Sequence, residues 1–144
     1  MKARIKWIDG VCFAGESGSG HAVVIDGDPD SGGRNIAMRP MEMLLTGAAA
    51  CTAYDVVTIL RKGRHDVKDV AVTVEGVRAP TSPRVFTNLH YVYTVAGRGL
   101  DPHQVERAVK LSKEKYCSAT IMLGKTATIT YEIVLVEGDR VPEG

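Results

Sequence analysis

The sequence carries almost no excess of charge of either sign. Its 18 lysines and arginines and 17 aspartates and glutamates give a net charge of +1 at neutral pH. A chain without a basic surplus has no electrostatic basis for binding nucleic acid or an anionic membrane, so we expect neither as a partner. Its 144 residues, 44% of them hydrophobic, are enough for one hydrophobic core but hardly for two. We therefore predict a single domain spanning residues 1–144.

Long apolar runs and a secretory leader are also missing. The longest apolar run, Met43–Tyr54, is too short to cross a bilayer and is followed by Asp55. The first ten residues, MKARIKWIDG, lack the apolar block and the small-residue cleavage site of a signal peptide. We therefore expect a cytoplasmic protein.

Cysteine is scarce, and histidine has no metal-binding spacing. The three cysteines, Cys12, Cys51 and Cys117, form no CxxC pair, which excludes a zinc ribbon and a thioredoxin-type motif. The four histidines form no HxxxH or HExxH pattern, so no metal site is expected. A structural disulfide framework is not expected in a reducing compartment. The thiols are therefore either inert packed side chains or reactive groups.

The first third of the chain has the pattern of an antiparallel β-meander. Lys2–Ile8 alternates polar and apolar side chains, and Val11–Ala14 and His21–Ile25 also have strand composition. The glycine-rich segment GESGSG between the last two predicts a tight turn.

A long central helix is predicted next, from Pro40 to a stop at Gly63. Its apolar side chains cover more than one face, which is typical of a helix buried on most sides. The small residues of Thr46–Ala50 would let another element approach the backbone closely.

The remaining elements complete an α+β fold. Val67–Arg78 and Asn88–Val95 alternate as two strands of a second hairpin, and Asp101 followed by Pro102 predicts the start of a shorter helix. The last two predicted elements are a short helix at Cys117–Leu123 and a C-terminal strand at Thr126–Val136. The predicted order is βββ-α-ββ-α(α)-β.

The positions of Cys51 and Cys117 in the sequence are compatible with reactive thiols. Cys51 lies in the middle of the long helix among small residues, and Cys117 stands where it can cap the following helix, whose free N–H groups favour a thiolate. A thiolate at Cys51 requires a nearby cation, and Arg34 and Arg39 are the nearest in sequence. The alternative is two inert thiols and two solvated arginines. Asp55, an acid on an apolar helix, needs a partner. We expect a structural contact with Arg, Lys or a backbone N–H across a dimer, and the alternative role is to tune Cys51.

Several segments together resemble the OsmC/Ohr proteins, the osmotically inducible protein C and organic hydroperoxide resistance protein family. They are the Pro-initiated helix with Glu42, the GAAAC run ending in Cys51, the segment EKYCSATIML around Cys117, and the alternating terminal strand. The segments MKARIKWIDG, FAGESGSGH, RPMEM, DVVTILRKG and LSKEKYCS are similar to the YhfA-like branch of that family.

The resemblance implies an OsmC-like fold assembled as an intertwined homodimer. It further implies a thiol-dependent peroxidase of oxidative stress defence that takes small apolar organic hydroperoxides. Cys51 would become a sulfenic acid and then form a disulfide with Cys117. A dithiol such as dihydrolipoamide would reduce that disulfide, and no metal or organic cofactor would be required.

One departure from the family pattern concerns the activating pair. In the peroxidase branches a Glu directly follows the helix-initiating Pro and holds an Arg that stabilises the thiolate. Here Met41 has that position and Glu42 comes one residue later, a rotation of about 100° around the helix. We take Arg39 and Glu42 as the candidate pair, with Arg34 as the other possible cation. The alternative function is a dimer that binds an apolar small molecule at the subunit interface with weak or no peroxidase activity.

Overall fold

The computed structural model describes residues Met1–Glu143. The chain forms two compact units, one comprising Met1–Leu44 and the other beginning at Leu45. The elements are β1 Ala3–Asp9, β2 Cys12–Ser17, β3 Ala22–Ile25, a 3-10 turn Pro29–Ser31, α1 Pro40–Lys62, β4 Val67–Arg78, β5 Phe86–Gly97, α2 Pro102–Leu111, a π-helical turn Ser112–Tyr116, α3 Ser118–Leu123 and β6 Thr128–Glu137. This order confirms the predicted α+β class, whereas the single domain over residues 1–144 stays a prediction.

The first unit contains the predicted antiparallel meander, with strand order β1-β2-β3. The predicted GESGSG turn is wrong in its first half, because β2 continues to Ser17 and the turn occupies only Gly18–Gly20. Gly15 pairs with Ile5 on one side and Val23 on the other, and these two side chains occupy the space above it. Their packing explains why a glycine is accommodated inside the strand.

A buried carboxylate organises the loop that precedes α1. Asp26 is almost completely buried and accepts hydrogen bonds from the backbone N–H groups of Gly27, Arg34 and Ile36 at 2.8, 3.0 and 3.2 Å. These hydrogen bonds, first the one from Gly27 and then those from Ile36 and Arg34, hold the pKa of Asp26 below its ordinary value. Burial acts in the opposite direction. The loop also requires Gly33, since a Cβ there would overlap the backbone of Gly27.

The second unit is a three-stranded sheet with helices packed on one face. Its central strand, β5, is antiparallel to β4 and parallel to β6. The alternating side chains of β5 on that face are completely or almost completely buried, and they pack in a core with residues of α1 and α2. The members of this core with at most 1% exposure include Leu89, Tyr91, Tyr93, Val95, Val56, Leu60, Val105, Ala108 and Val109.

Helix α1 begins at Pro40 and ends at Lys62, directly before Gly63, as predicted. Burial on most sides is not observed in the single chain, because the fully buried residues form one row at intervals of four: Ala48, Thr52, Val56 and Leu60. Leu44 and Tyr54, outside that row, are 46% and 74% exposed. An 18-residue window of α1 has a mean hydropathy of 1.6, so the helix is long and apolar enough to cross a membrane, a property that core helices of soluble proteins share.

Candidate active site

Cys51 and Cys117 lie side by side although 66 residues separate them in the sequence. The two side chains are close enough for the thiol of Cys51 to contribute to the raised pKa of Cys117, and neither forms a disulfide. Cys51 projects from the middle of α1 and is partly exposed, whereas Cys117 is completely buried. A reagent that enters from solvent therefore meets the sulfur of Cys51 first.

The turn before α3 positions Cys117. The chain widens after α2 into the π-helical turn, and the N–H of Cys117 donates to the carbonyl of Ser112 at 2.8 Å. Cys117 then caps α3, as predicted, because its Sγ accepts a hydrogen bond from the N–H of Thr120 at 3.5 Å. Burial raises the pKa of the Cys117 thiol and outweighs the hydrogen bonds from Thr120, which favour the thiolate. Cys117 is therefore a thiol that keeps its proton.

The two thiols differ in the reactions that they can carry out. A protonated Cys117 brings an S–H close to the sulfur of Cys51, which is the more exposed of the two. The arrangement can thus support a nucleophilic sulfur at Cys51, with a second thiol already within reach of it.

A chain of three hydroxyl groups and one carboxylate passes beside the thiols. The atoms in order are Tyr93 Oη, Thr52 Oγ1, Ser112 Oγ and Asp55 Oδ2, with successive distances of 2.8, 2.9 and 2.9 Å. An ionised carboxylate can only accept, so Ser112 donates its single proton to Asp55. Thr52 must then donate to Ser112, and Tyr93 to Thr52. Within the chain, Asp55 therefore has a hydroxyl as its partner, and the expected contact with Arg, Lys or a backbone N–H across a dimer stays a prediction.

Two stacked tyrosines of β5 line the same region. Tyr91 and Tyr93 have no exposed surface, and their ring centroids are 6.2 Å apart with planes inclined by 22°. Burial raises the pKa of Tyr93 to about 12. Burial also raises the pKa of Tyr91, with further contributions from Tyr93 and from the nearby Cys117 and Cys51. The hydroxyl of Tyr91, unlike that of Tyr93, is buried without a hydrogen-bond partner among the described residues.

The candidate pair Arg39 and Glu42 belongs to the first unit, where the two residues are in contact. Glu42 Oε2 accepts a hydrogen bond from the backbone N–H of Arg39 at 2.9 Å, and Oε1 lies 3.9 Å from the guanidinium Nε. Asp28 forms a closer ion pair with Arg39, at 3.1 Å between Oδ2 and Nη1. The displaced glutamate therefore still reaches the arginine, which it shares with an aspartate that sequence reasoning did not identify.

The other candidate cation, Arg34, has different partners. Its guanidinium binds the carboxylate of Asp9 through two contacts of 2.8 and 3.1 Å. It also contacts the thiol of Cys12, and this hydrogen bond, together with the charge of Asp9, raises the pKa of Arg34. Cys12 itself is a buried residue of β2.

Sequence reasoning missed the polar groups around the thiols. Thr52 stands in an otherwise apolar row of α1, and Ser112 continues an apolar row of α2 into the π-helical turn, which is the signal that could have identified them. Alternation along β5 predicts only that Tyr91 and Tyr93 share a face. Within Met1–Glu143, no three or more His, Cys, Asp or Glu side chains are grouped so as to hold a metal ion.

Comparison with known proteins places the chain in a family. The family model for OsmC-like protein matches residues 31–132. Protein YhfA of Escherichia coli K12 is 48% identical over 136 residues, covering 93% of this chain and 98% of YhfA. A hypothetical protein from Aquifex aeolicus has a solved structure with a TM-score of 0.83 at 25% identity, covering 95% of this chain and 96% of that one. An organic hydroperoxide resistance protein OsmC from Legionella pneumophila shares the fold with a TM-score of 0.69 at 19% identity, covering 92% and 95%. The chain therefore belongs to the OsmC-like protein family.

Proposed function

We propose that this protein is a thiol-dependent peroxidase that reduces organic hydroperoxides. The observation that supports it best is the contact between a partly exposed thiol, Cys51, and a buried, protonated one, Cys117. The family supports the same reaction, since a structural relative is an organic hydroperoxide resistance protein.

The first step is a two-electron oxidation of Cys51. Its thiolate attacks the distal oxygen of the hydroperoxide, so that an S–O bond forms and the O–O bond breaks. The leaving alkoxide takes a proton and departs as the alcohol, and Cys51 is left as a sulfenic acid. The burial of Cys117 makes Cys51 the sulfur that reacts first.

The second step uses the thiol in contact with Cys51. The sulfur of Cys117 attacks the sulfenic sulfur, the S–O bond breaks, and the oxygen leaves as water, which gives a Cys51–Cys117 disulfide. An external dithiol such as dihydrolipoamide then reduces this disulfide and becomes oxidised itself. The sum is one hydroperoxide and one dithiol converted to one alcohol, one water and one cyclic disulfide.

We assign the activating charge to Arg39, held by Glu42. A guanidinium near a thiolate stabilises its charge, and Arg39 has a buried Nε without a hydrogen-bond partner among the described residues. Arg34 is the weaker candidate because both of its Nη atoms bind Asp9, whereas Arg39 is paired with Asp28 through Nη1 and keeps a buried Nε without a hydrogen bond among the described residues. The proposal also includes a cytoplasmic homodimer.

Thiol titration tests the reaction directly. Addition of cumene hydroperoxide to the reduced protein is expected to consume two thiols per chain and to yield a peptide pair linked through Cys51 and Cys117. Cys51→Ser is expected to consume none. Peroxide reduction by Cys51→Ser at the wild-type rate would overturn the proposal, as would a wild-type protein whose thiols are unchanged.

The alternative function, binding of an apolar small molecule by a dimer, has one structural feature in its favour. The first unit contains an open groove of about 290 Å³, lined mainly by apolar side chains that include Ile5, Val23, Ile25 and Met43. If this function is correct, the Cys51→Ser, Cys117→Ser double variant keeps the ligand in native mass spectrometry and the wild-type thiols react slowly with hydroperoxide.

A further inference from the structure

The Tyr91 hydroxyl is a buried donor without an acceptor. Its residue has no exposed surface, and the hydroxyl forms no hydrogen bond with any described residue, including the two cysteines near it. A buried phenol hydroxyl without a partner costs about 1–3 kcal/mol. A phenylalanine would fill the same space without that cost, so the hydroxyl calls for an explanation.

The other proton donors around the thiols are already used. The Tyr93 proton is directed to Thr52, because each hydroxyl in the chain that ends at Asp55 has only one proton to donate. The thiol of Cys117 already interacts with that of Cys51. Among the described residues, Tyr91 therefore holds a buried O–H in this region that is not committed to another group.

We propose that the Tyr91 hydroxyl donates a hydrogen bond to the oxygen atom that Cys51 receives from the hydroperoxide. This inference rests on the proposed peroxidase function. The ring of Tyr91 stacks on that of Tyr93, whose hydroxyl lies 2.8 Å from Thr52 Oγ1, in the residue that follows Cys51 on α1. Because the Tyr91 hydroxyl in this region has no partner among the described residues, an oxygen added to Cys51 can supply the missing acceptor. Tyr91 keeps its proton throughout: the S–O bond forms at Cys51, the O–O bond breaks, and the departing alkoxide carries the negative charge and takes its proton from solvent water. The Tyr91 hydrogen bond forms only when the transferred oxygen arrives beside Cys51, so it stabilises the transition state relative to the free protein and hydroperoxide.

The test compares two reactions of the same sulfur in Tyr91→Phe. Reaction of Cys51 with cumene hydroperoxide transfers oxygen, whereas alkylation by iodoacetamide does not. We expect the peroxide rate constant to fall roughly tenfold, as for loss of a hydrogen bond to a partly charged group, and the alkylation rate constant to change by less than about twofold. The thermal midpoint should not fall, since the removed hydroxyl has no bond to lose.

Tyr54→Phe is the matched control, because it removes a hydroxyl from a side chain that is 74% exposed. It is expected to leave both rate constants unchanged. An unchanged peroxide rate in Tyr91→Phe would overturn the assignment, and so would equal losses in both reactions, which would mean that Tyr91 acts on the thiol itself. A wild-type protein that does not react with the hydroperoxide would instead overturn the proposed function, and the Tyr91 assignment with it.

Discussion

Ser112 donates its hydroxyl proton to the carboxylate of Asp55, with 2.9 Å between Oγ and Oδ2, across 57 residues of sequence. This bond fixes the direction of the whole hydroxyl chain. Ser112 has only one proton and donates it to Asp55, so Thr52 must donate to Ser112. It also connects the end of α2 to the helix that carries Cys51. The positions of the two thiols therefore depend on a polar contact in a mostly apolar core.

Ser112→Ala should destabilise the protein. The substitution removes the donor to Asp55 and the acceptor for Thr52, and a buried group left unpaired costs about 1–3 kcal/mol. Urea denaturation at pH 7 measures the change in the free energy of unfolding. Ser118→Ala is the control because Ser118 is exposed, and equal values for the two variants would contradict the role of the network.

Cys117→Ser should stop the reaction after one equivalent of hydroperoxide per chain. Without the second thiol, the sulfenic acid at Cys51 cannot condense to a disulfide, so it accumulates and is trapped by a dimedone-type reagent. Mass spectrometry of the labelled peptide measures it. Cys12→Ser is expected to keep multiple turnovers with dihydrolipoamide. Continued turnover by Cys117→Ser would show that the disulfide is not an intermediate.

Arg39→Ala should slow both alkylation and peroxide reduction at Cys51 at pH 7. A nearby positive charge commonly shifts the thiol–thiolate equilibrium by about 1–3 pH units, so a loss of roughly tenfold or more in rate is expected. Arg39→Lys should restore part of the rate, since it keeps the charge. Arg34→Ala is the control, because Arg34 is paired with Asp9 in an exposed contact. A larger loss in Arg34→Ala than in Arg39→Ala would reverse the assignment.

Asp26 should make stability depend on pH in the acidic range. Its pKa is lowered in the folded state from an ordinary value of 3.8, first by the hydrogen bond from Gly27. The carboxylate therefore contributes stability that is fully present above pH 3.8 and is lost as the pH falls through the lower folded-state value.

Urea denaturation between pH 2 and pH 7 checks this for the wild type and Asp26→Asn. The difference in unfolding free energy between them should be largest near neutral pH and should shrink below pH 3.8. Asp30→Asn, at an exposed position of the same loop, should show no such trend. A difference that stays constant with pH would mean that the charge of Asp26 contributes nothing.

The elements of the fold could be predicted because their signals are local. Pro40 and Gly63 mark the ends of α1, and Asp101 caps α2 through a 2.9 Å hydrogen bond from the N–H of His103. The cap at Cys117 could also be predicted, because the free N–H groups at the start of the following helix need a hydrogen-bond acceptor there.

The site could be predicted only in part, because its contacts connect distant segments. No local pattern shows that Thr52 meets Tyr93 and Ser112, which are 41 and 60 residues away. The parallel pairing of β6 with β5 was not predicted either, since strand composition does not encode direction. The isolated Tyr91 hydroxyl is a property of packing and appears only in three dimensions.

The parallel pairing of β5 and β6 has a consequence for the order of folding. The hairpin of β4 and β5 closes over a short loop, but β6 can pair only after the long crossover from residue 98 to residue 127 has been brought back along the sheet. Closing so long a connection has a greater entropic cost and is slower than closing a hairpin. Because Ser112 and Cys117 both lie in this crossover, we expect their contacts with α1 to form after the β4–β5 hairpin has closed.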